Sequence, residues 1–154
     1  MIPRRRLVKM LCRSYICPSF ISLVFALLTT GITQAETGKP PDANSVARGK
    51  HLYDTHCVAC HKRDGVGEPA VPWSIRRMDY IEAMPLNERS HAWHHGDEQL
   101  IVMILDGTSR SRLRMPVWRQ ILSVQDAADL VAYIKSLWSD RIVACQGPKH
   151  MDCM

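Results

Sequence analysis

The sequence predicts an all-α domain with long loops. No stretch of useful length alternates apolar and polar residues as a half-buried strand would. Near the C-terminus, Ala127, Leu130, Val131, Ile134, Leu137 and Trp138 recur at the i, i+3, i+4, i+7 spacing of a core-facing helical stripe. Elsewhere, short apolar runs are separated by polar stretches rich in Gly and Pro. Short helices with this much loop bury a thin core, and small domains of that kind need a staple.

The first 35 residues stand apart. Arg4, Arg5, Arg6, Lys9 and Arg13 make a basic start with no acidic residue, and Ser14 to Thr33 carries no charge. Thr33-Gln34-Ala35 puts small residues at the two positions a signal peptidase reads. Residues 1–35 are therefore expected to be a signal peptide, cut after Ala35, that sends the protein to the periplasm. An uncleaved membrane anchor is the rival, and Pro18 and Ser19 in the apolar run count against it. No lipobox precedes Cys12 or Cys17. The leader holds all of the formal net charge of +5, so residues 36–154 are neutral overall. The nucleic-acid partner that a basic chain would suggest is thereby excluded.

Residues 36–43, ETGKPPDA, read as a linker, and 44–140 as the domain. A helix starts near Asn44, which can cap it, and Val46, Gly49 and Tyr53 share one of its faces on the way to Cys57. KRDGVGEPAVPW is loop, and 74–95 is weakly patterned, with one short helix expected. Asp97 is a good N-cap for a second helix, EQLIVMIL, which stops at Gly107. TSRSRLRM is a polar, basic loop, and Pro116 after it blocks helix continuation. Ser123 with Asp126 makes a capping box for the last helix. Residues 141–154 read as a tail.

Residues 57–61 read CVACH, and beyond the leader only Cys145 and Cys153 join Cys57 and Cys60 as cysteines. A zinc site needs four ligands, usually in paired sets, and the second pair here is too widely spaced in a Gly-Pro tail. A redox disulfide of this spacing sits beside a parallel sheet, of which there is no sign. A covalent haem explains more: Cys57 and Cys60 can add to the two vinyl groups along one haem edge, which leaves His61 as the proximal iron ligand. A distal ligand should come from a downstream loop on the opposite face, and Met115 in RMPVW meets that description. Its thioether favours reduced iron, Pro116 fixes the backbone beside it, and Trp118 can pack on the porphyrin edge. Met78, Met84 and Met103 read as core filler. With Met115 unbound, an open iron would bind peroxide or a gas, and the protein would be a haem enzyme or sensor.

In this order, ARGKHLYDTHCVACH, the GVG turn, the helix ending in LDG, the Met115–Pro116 loop and LSVQDAADLVAYIKSLW resemble the class I c-type cytochromes of the bacterial periplasm. The resemblance runs from Val46 to Trp138. It implies the cytochrome c fold, three to five short helices wrapped around one covalently attached haem c. The first helix would cross the last at close range, with Gly49 permitting the approach and Tyr53 and Tyr133 packed nearby. The implied function is single-electron transfer through six-coordinate His–Met iron. Such a protein is a carrier rather than an enzyme, free or as a subunit of, or donor to, an oxidoreductase. Lys62, Arg63, Arg110, Arg112, Arg114 and Arg119 flank the haem-bearing segments. Clustered, they would dock acidic redox partner proteins; scattered, they are ordinary solvated charge. A membrane enters only through an uncleaved leader or a membrane-bound partner.

Two segments exceed a minimal cytochrome. HAWHHGDEQ holds His91, His94 and His95, which could bind copper or offer another iron ligand. The simpler expectation is that one imidazole meets a haem propionate or caps the Asp97 helix. In ACQGPKHMDCM, Cys145 and Cys153 are expected to pair, closing a short loop worth roughly 2–3 kcal/mol. Alternatively, Cys145, His150, Met151, Cys153 and Met154 supply good ligands for a copper-binding tail.

Overall fold

A computed structural model describes residues 36–77, 80–108 and 115–154, all within one compact unit. The expected leader at 1–35, Met78 among the filler methionines, and Arg110, Arg112 and Arg114 of the expected docking ring lie outside the described residues. Every regular element among the described residues is helical. In chain order these are α1 (Ala43–His56), α2 (Val58–His61), α3 (Asp97–Asp106), α4 (Val124–Ser136) and α5 (Asp140–Ala144). Short 3₁₀ segments lie at Arg63–Gly65, Trp73–Ile75, Ala92–His94 and Gly147–Cys153. Among the described residues, no helix is long and apolar enough to cross a membrane.

α1 and α4 make the main interface among the described residues. α1 crosses α4 where Gly49 faces the backbone of Asp129, so closely that a Cβ on Gly49 would collide with the Asp129 carbonyl. Below the crossing, the Tyr53 and Tyr133 rings pack with centroids 4.9 Å apart, within the range of a favourable aromatic pair. Beside it, Arg48 grips Asp129 with two hydrogen bonds, of 2.6 and 2.9 Å. The α4 stripe is buried as its spacing requires: Ala127, Leu130, Val131, Ile134 and Trp138 are inside and Leu137 is half-buried. Leu100, Ile104 and Leu105 of α3 join the same core. The capping box of α4 is formed in both directions. Ser123 Oγ accepts the Asp126 N–H at 3.1 Å, and Asp126 Oδ2 accepts the Ser123 N–H at 2.9 Å.

Three expectations need correction. The cap of α1 is Asp42, whose carboxylate accepts the N–H groups of Asn44 (3.0 Å) and Ser45 (2.9 Å); Asn44 is already helical. Asp97 likewise lies inside its helix rather than capping it. Its carboxylate, 1 % exposed, pairs with Lys135 Nζ at 2.9 Å and accepts from Gln146 Nε2. A cation buried this deeply needs its counter-charge more than a helix end needs a cap. The 74–95 stretch is irregular as expected among its described residues, its short helix being the 3₁₀ segment Ala92–His94. After Trp138 the chain continues as α5 and a 3₁₀ segment, sending Ile142, Val143 and Cys145 into the core.

The start of the expected linker is also tied down. Glu36 O accepts from Lys135 Nζ at 2.8 Å, Thr37 Oγ1 accepts the Asp97 N–H at 2.8 Å, and the Gly38 N–H donates to Gln146 Oε1 at 3.2 Å.

Candidate haem site

α1 hands over directly to α2 at Cys57. The Cys57 N–H donates to Tyr53 O at 2.9 Å, and the Cys60 and His61 N–H groups both reach back to Cys57 O, at 3.2 and 2.9 Å. Cys57, Cys60 and His61 thus occupy one helical turn. Neither sulfur is in a disulfide; Cys57 is half-buried and Cys60 exposed. Burial, and then the neighbouring Cys60, push the Cys57 thiol up to about 11. A redox-active pair of this spacing works by lowering a thiol pKa, the opposite direction. The turn ends at Lys62, whose φ of 60° is unusual for a residue with a Cβ; the Tyr53 hydroxyl holds it there by donating to Lys62 O at 2.8 Å.

His61 Nδ1 lies 3.0 Å from Met84 O. A carbonyl only accepts, so Nδ1 carries the proton and the Nε2 lone pair is left for a metal. Burial pushes the ring's pKa down, against the smaller opposing pulls of Met84 O and Glu68, which favours the neutral, ligating form. Met84 was expected to fill the core. The residue is 47 % exposed, and its backbone carbonyl is the part engaged with His61. The loop bearing that carbonyl packs against the residues after His61. The Glu68 N–H donates to Ala83 O (2.9 Å), the Ala83 N–H donates to Glu68 Oε2 (2.9 Å), and the Leu86 N–H donates to Gly65 O (2.7 Å). Gly67, at φ 74°, sits against the backbone of Ala83, Met84 and Pro85, with no room for a Cβ.

Met115 is held separately, beside the end of α3. Its carbonyl accepts the Thr108 N–H at 3.4 Å, and three residues on, the N–H groups of Trp118 and Arg119 both donate to Leu105 O, at 2.9 and 3.0 Å. Met115, Trp118, Cys57 and Val58 are partly buried against the same core, as is Met103. The Trp118 ring lies 5.2 Å from that of His56. Of the expected docking charges, Arg63 is exposed, Lys62 Nζ donates to Ala59 O at 2.6 Å, and Arg119 is paired with Asp106 at 2.6 Å. That ion pair weakens the expected basic ring.

The remaining histidines gather elsewhere. His91 lies 5.9 and 6.0 Å from His94 and His95 between ring centroids, and His94 stacks on His150 at 4.5 Å with Trp93 edge-on beside it. None of them caps α3, where the Gly96 N–H donates to Gln99 Oε1 (3.2 Å) and Thr37 takes the Asp97 N–H. Among the described residues, no three His, Cys, Asp or Glu side chains converge to hold a metal ion. Cys145 and Cys153 are bonded through sulfur, with Cα atoms 6.0 Å apart.

The donor set fits a covalent haem. Two unpaired thiols sit one turn apart, a neutral imidazole follows with Nε2 available, and a half-buried thioether comes from another loop. These are the four residues that the sequence singles out; the Met84 carbonyl beside His61 could not be anticipated, because a backbone acceptor leaves no side-chain signature.

Residues 44–134 match the family described as cytochrome C oxidase, cbb3-type, subunit III. The chain is 30% identical over 100 residues to the Cbb3-type cytochrome c oxidase subunit CcoP of Azospirillum sp. (strain B510), an alignment covering 65% of this chain. It spans only 31% of that relative's length. No solved structure matches. A C-x-x-C-H turn, a carbonyl-oriented histidine and a family match over most of the helical body lead to one conclusion: the chain belongs to the cbb3-type cytochrome c oxidase subunit III family and contains its c-type cytochrome domain.

Proposed function

We propose that this protein carries single electrons through one haem c, attached at Cys57 and Cys60 and ligated by His61 and Met115, on the periplasmic side of the membrane. The observation that carries the reading is the hydrogen bond from His61 Nδ1 to Met84 O, 3.0 Å, directly after two unpaired cysteines. It fixes the tautomer and aims Nε2 away from the loop, as an axial ligand requires. When bound, the haem supplies a one-electron iron couple. The chain's own part is to keep both ligands still. Backbone hydrogen bonds flank the Met84 carbonyl on either side, and the Met115 loop is pinned at Thr108 and Leu105. Ligands that do not move between oxidation states keep reorganisation small, which suits a carrier.

One attachment motif means one haem on this chain. Residues 1–35 would export the domain 44–140, and the segment 141–154 would stay closed by Cys145–Cys153 in an oxidising compartment. Because a relative is named as an oxidase subunit, a membrane-bound oxidase complex is the proposed redox partner, approached through the side bearing Lys62 and Arg63.

Visible spectra of the exported protein, with and without carbon monoxide, test the ligation. The wild type should be low-spin in both oxidation states and slow to bind carbon monoxide, whereas Met115→Ala should bind it at once. Immediate binding by the wild type would overturn the carrier and point to an enzyme or gas sensor with open iron.

A further inference from the structure

We propose that Glu68 and Trp138 are positioning residues for the axial histidine, holding the Met84 carbonyl against His61 Nδ1 and so tuning how strongly the ring donates to iron. The inference rests on the ligation proposed above and adds two residues that touch neither haem ligand through their side chains' hydrogen bonds.

A histidine whose ring N–H is held by an acceptor gains basicity as a ligand, and the gain depends on how firmly the acceptor is fixed. Met84 cannot fix itself, having an exposed side chain and no regular secondary structure. Its neighbours do so. On one side, Ala83 is bonded to Glu68 in both directions: its carbonyl accepts the Glu68 N–H and its own N–H donates to Glu68 Oε2, each at 2.9 Å. The Tyr80 hydroxyl also donates to that oxygen and braces the carboxylate. On the other side, the Leu86 N–H donates to Gly65 O at 2.7 Å, while Leu86 O accepts from Trp138 Nε1 at 2.8 Å. Trp138 is 6 % exposed and locked into the core just past α4. A rigid point of the hydrophobic core therefore reaches the ligand through two residues of loop.

Loosening this clamp weakens the His61 hydrogen bond, makes the ring a poorer donor, and disfavours the ferric form. The midpoint potential should rise. Glu68 also carries a charge whose removal would raise the potential by itself, so the variants must separate the two effects. Glu68→Gln removes the charge but keeps an oxygen for the Ala83 N–H; Glu68→Ala removes both. Trp138→Phe changes no charge at all.

The experiment measures the midpoint potential and the solvent exchange of the His61 Nδ1 proton, by NMR of the reduced full-chain holoprotein. Trp138→Phe should raise the potential and speed the exchange. Glu68→Ala should exceed Glu68→Gln in both. The clamp is overturned if Trp138→Phe matches the wild type on both readouts, or if Glu68→Ala and Glu68→Gln coincide. Should Trp138→Phe fail to fold, the Glu68 pair decides alone. A wild type lacking low-spin histidine-ligated iron would overturn the ligation and the clamp together; unmoved variants in a correctly ligated protein overturn the clamp only.

Discussion

Gly49→Ala would drive a methyl group into the Asp129 carbonyl, and backbone on both sides leaves little to yield. Overpacking of this kind costs about 1–3 kcal/mol, and the denaturant midpoint of the variant should fall accordingly. Asp97→Asn tests a different kind of residue. It keeps the shape but leaves Lys135, 2 % exposed, without its counter-charge, at a cost of about 3–5 kcal/mol in the same measurement. At this scale, legibility followed chemistry. Cys57, Cys60 and His61 stand out because their spacing suits haem attachment, and Met115 because a soft donor stands in a basic loop; their roles are those proposed above. Asp97 does not take the capping role that its position suggests, because an acidic residue at a helix start serves as a cap or as a counter-ion, and its partner lies 38 residues away.

Among the elements, α1 gives a clean discrimination. Asp42→Ala should cost about 1 kcal/mol by removing the acceptor for two helix N–H groups, while Asn44→Ala should leave thermal stability almost unchanged. α4 was legible in full, since its stripe spans several turns and its capping box is local. α5 and the 3₁₀ segments were not, being too short to show a period. The 74–95 stretch was weakly patterned for a related reason. Its describable order comes from backbone bonds to Gly65 and Glu68 and from the Trp138 indole, partners that local sequence does not announce.

For the molecule as a whole, acid should act through the histidine cluster. Burial, followed by the imidazoles of His150, His91 and His95, holds His94 below its usual 6.5; burial and then His91 do the same for His95. The unfolded chain therefore takes up protons that the folded one resists, so this contribution is complete above pH 6.5 and is lost as pH falls through that value toward the lower folded pKa. Melting temperature measured against pH should drop over that window, and His94→Gln should flatten the drop. Lys149 and Asp152 of the 3₁₀ segment bearing His150 are exposed and offset one another in charge.

The interface between α1 and α4 has a consequence for how the haem-facing chain is free to vary. Cys60, His61, Met84 and Met115 all belong to the long stretch between the last residue of α1 and the first of α4, as a cord hangs between two ends of a clasp. Closing such a stretch costs an entropy that grows only logarithmically with its length, roughly 0.6 kcal/mol for each doubling. Once the clasp is shut, residues can be added to or taken from the cord at small thermodynamic cost, provided the knots at Leu105, Gly65 and Glu68 are left tied. On the ligation proposed above, opening the clasp slackens His61 and Met115 in a single event, so in a denaturant titration loss of the axial bonds should coincide with separation of α1 from α4.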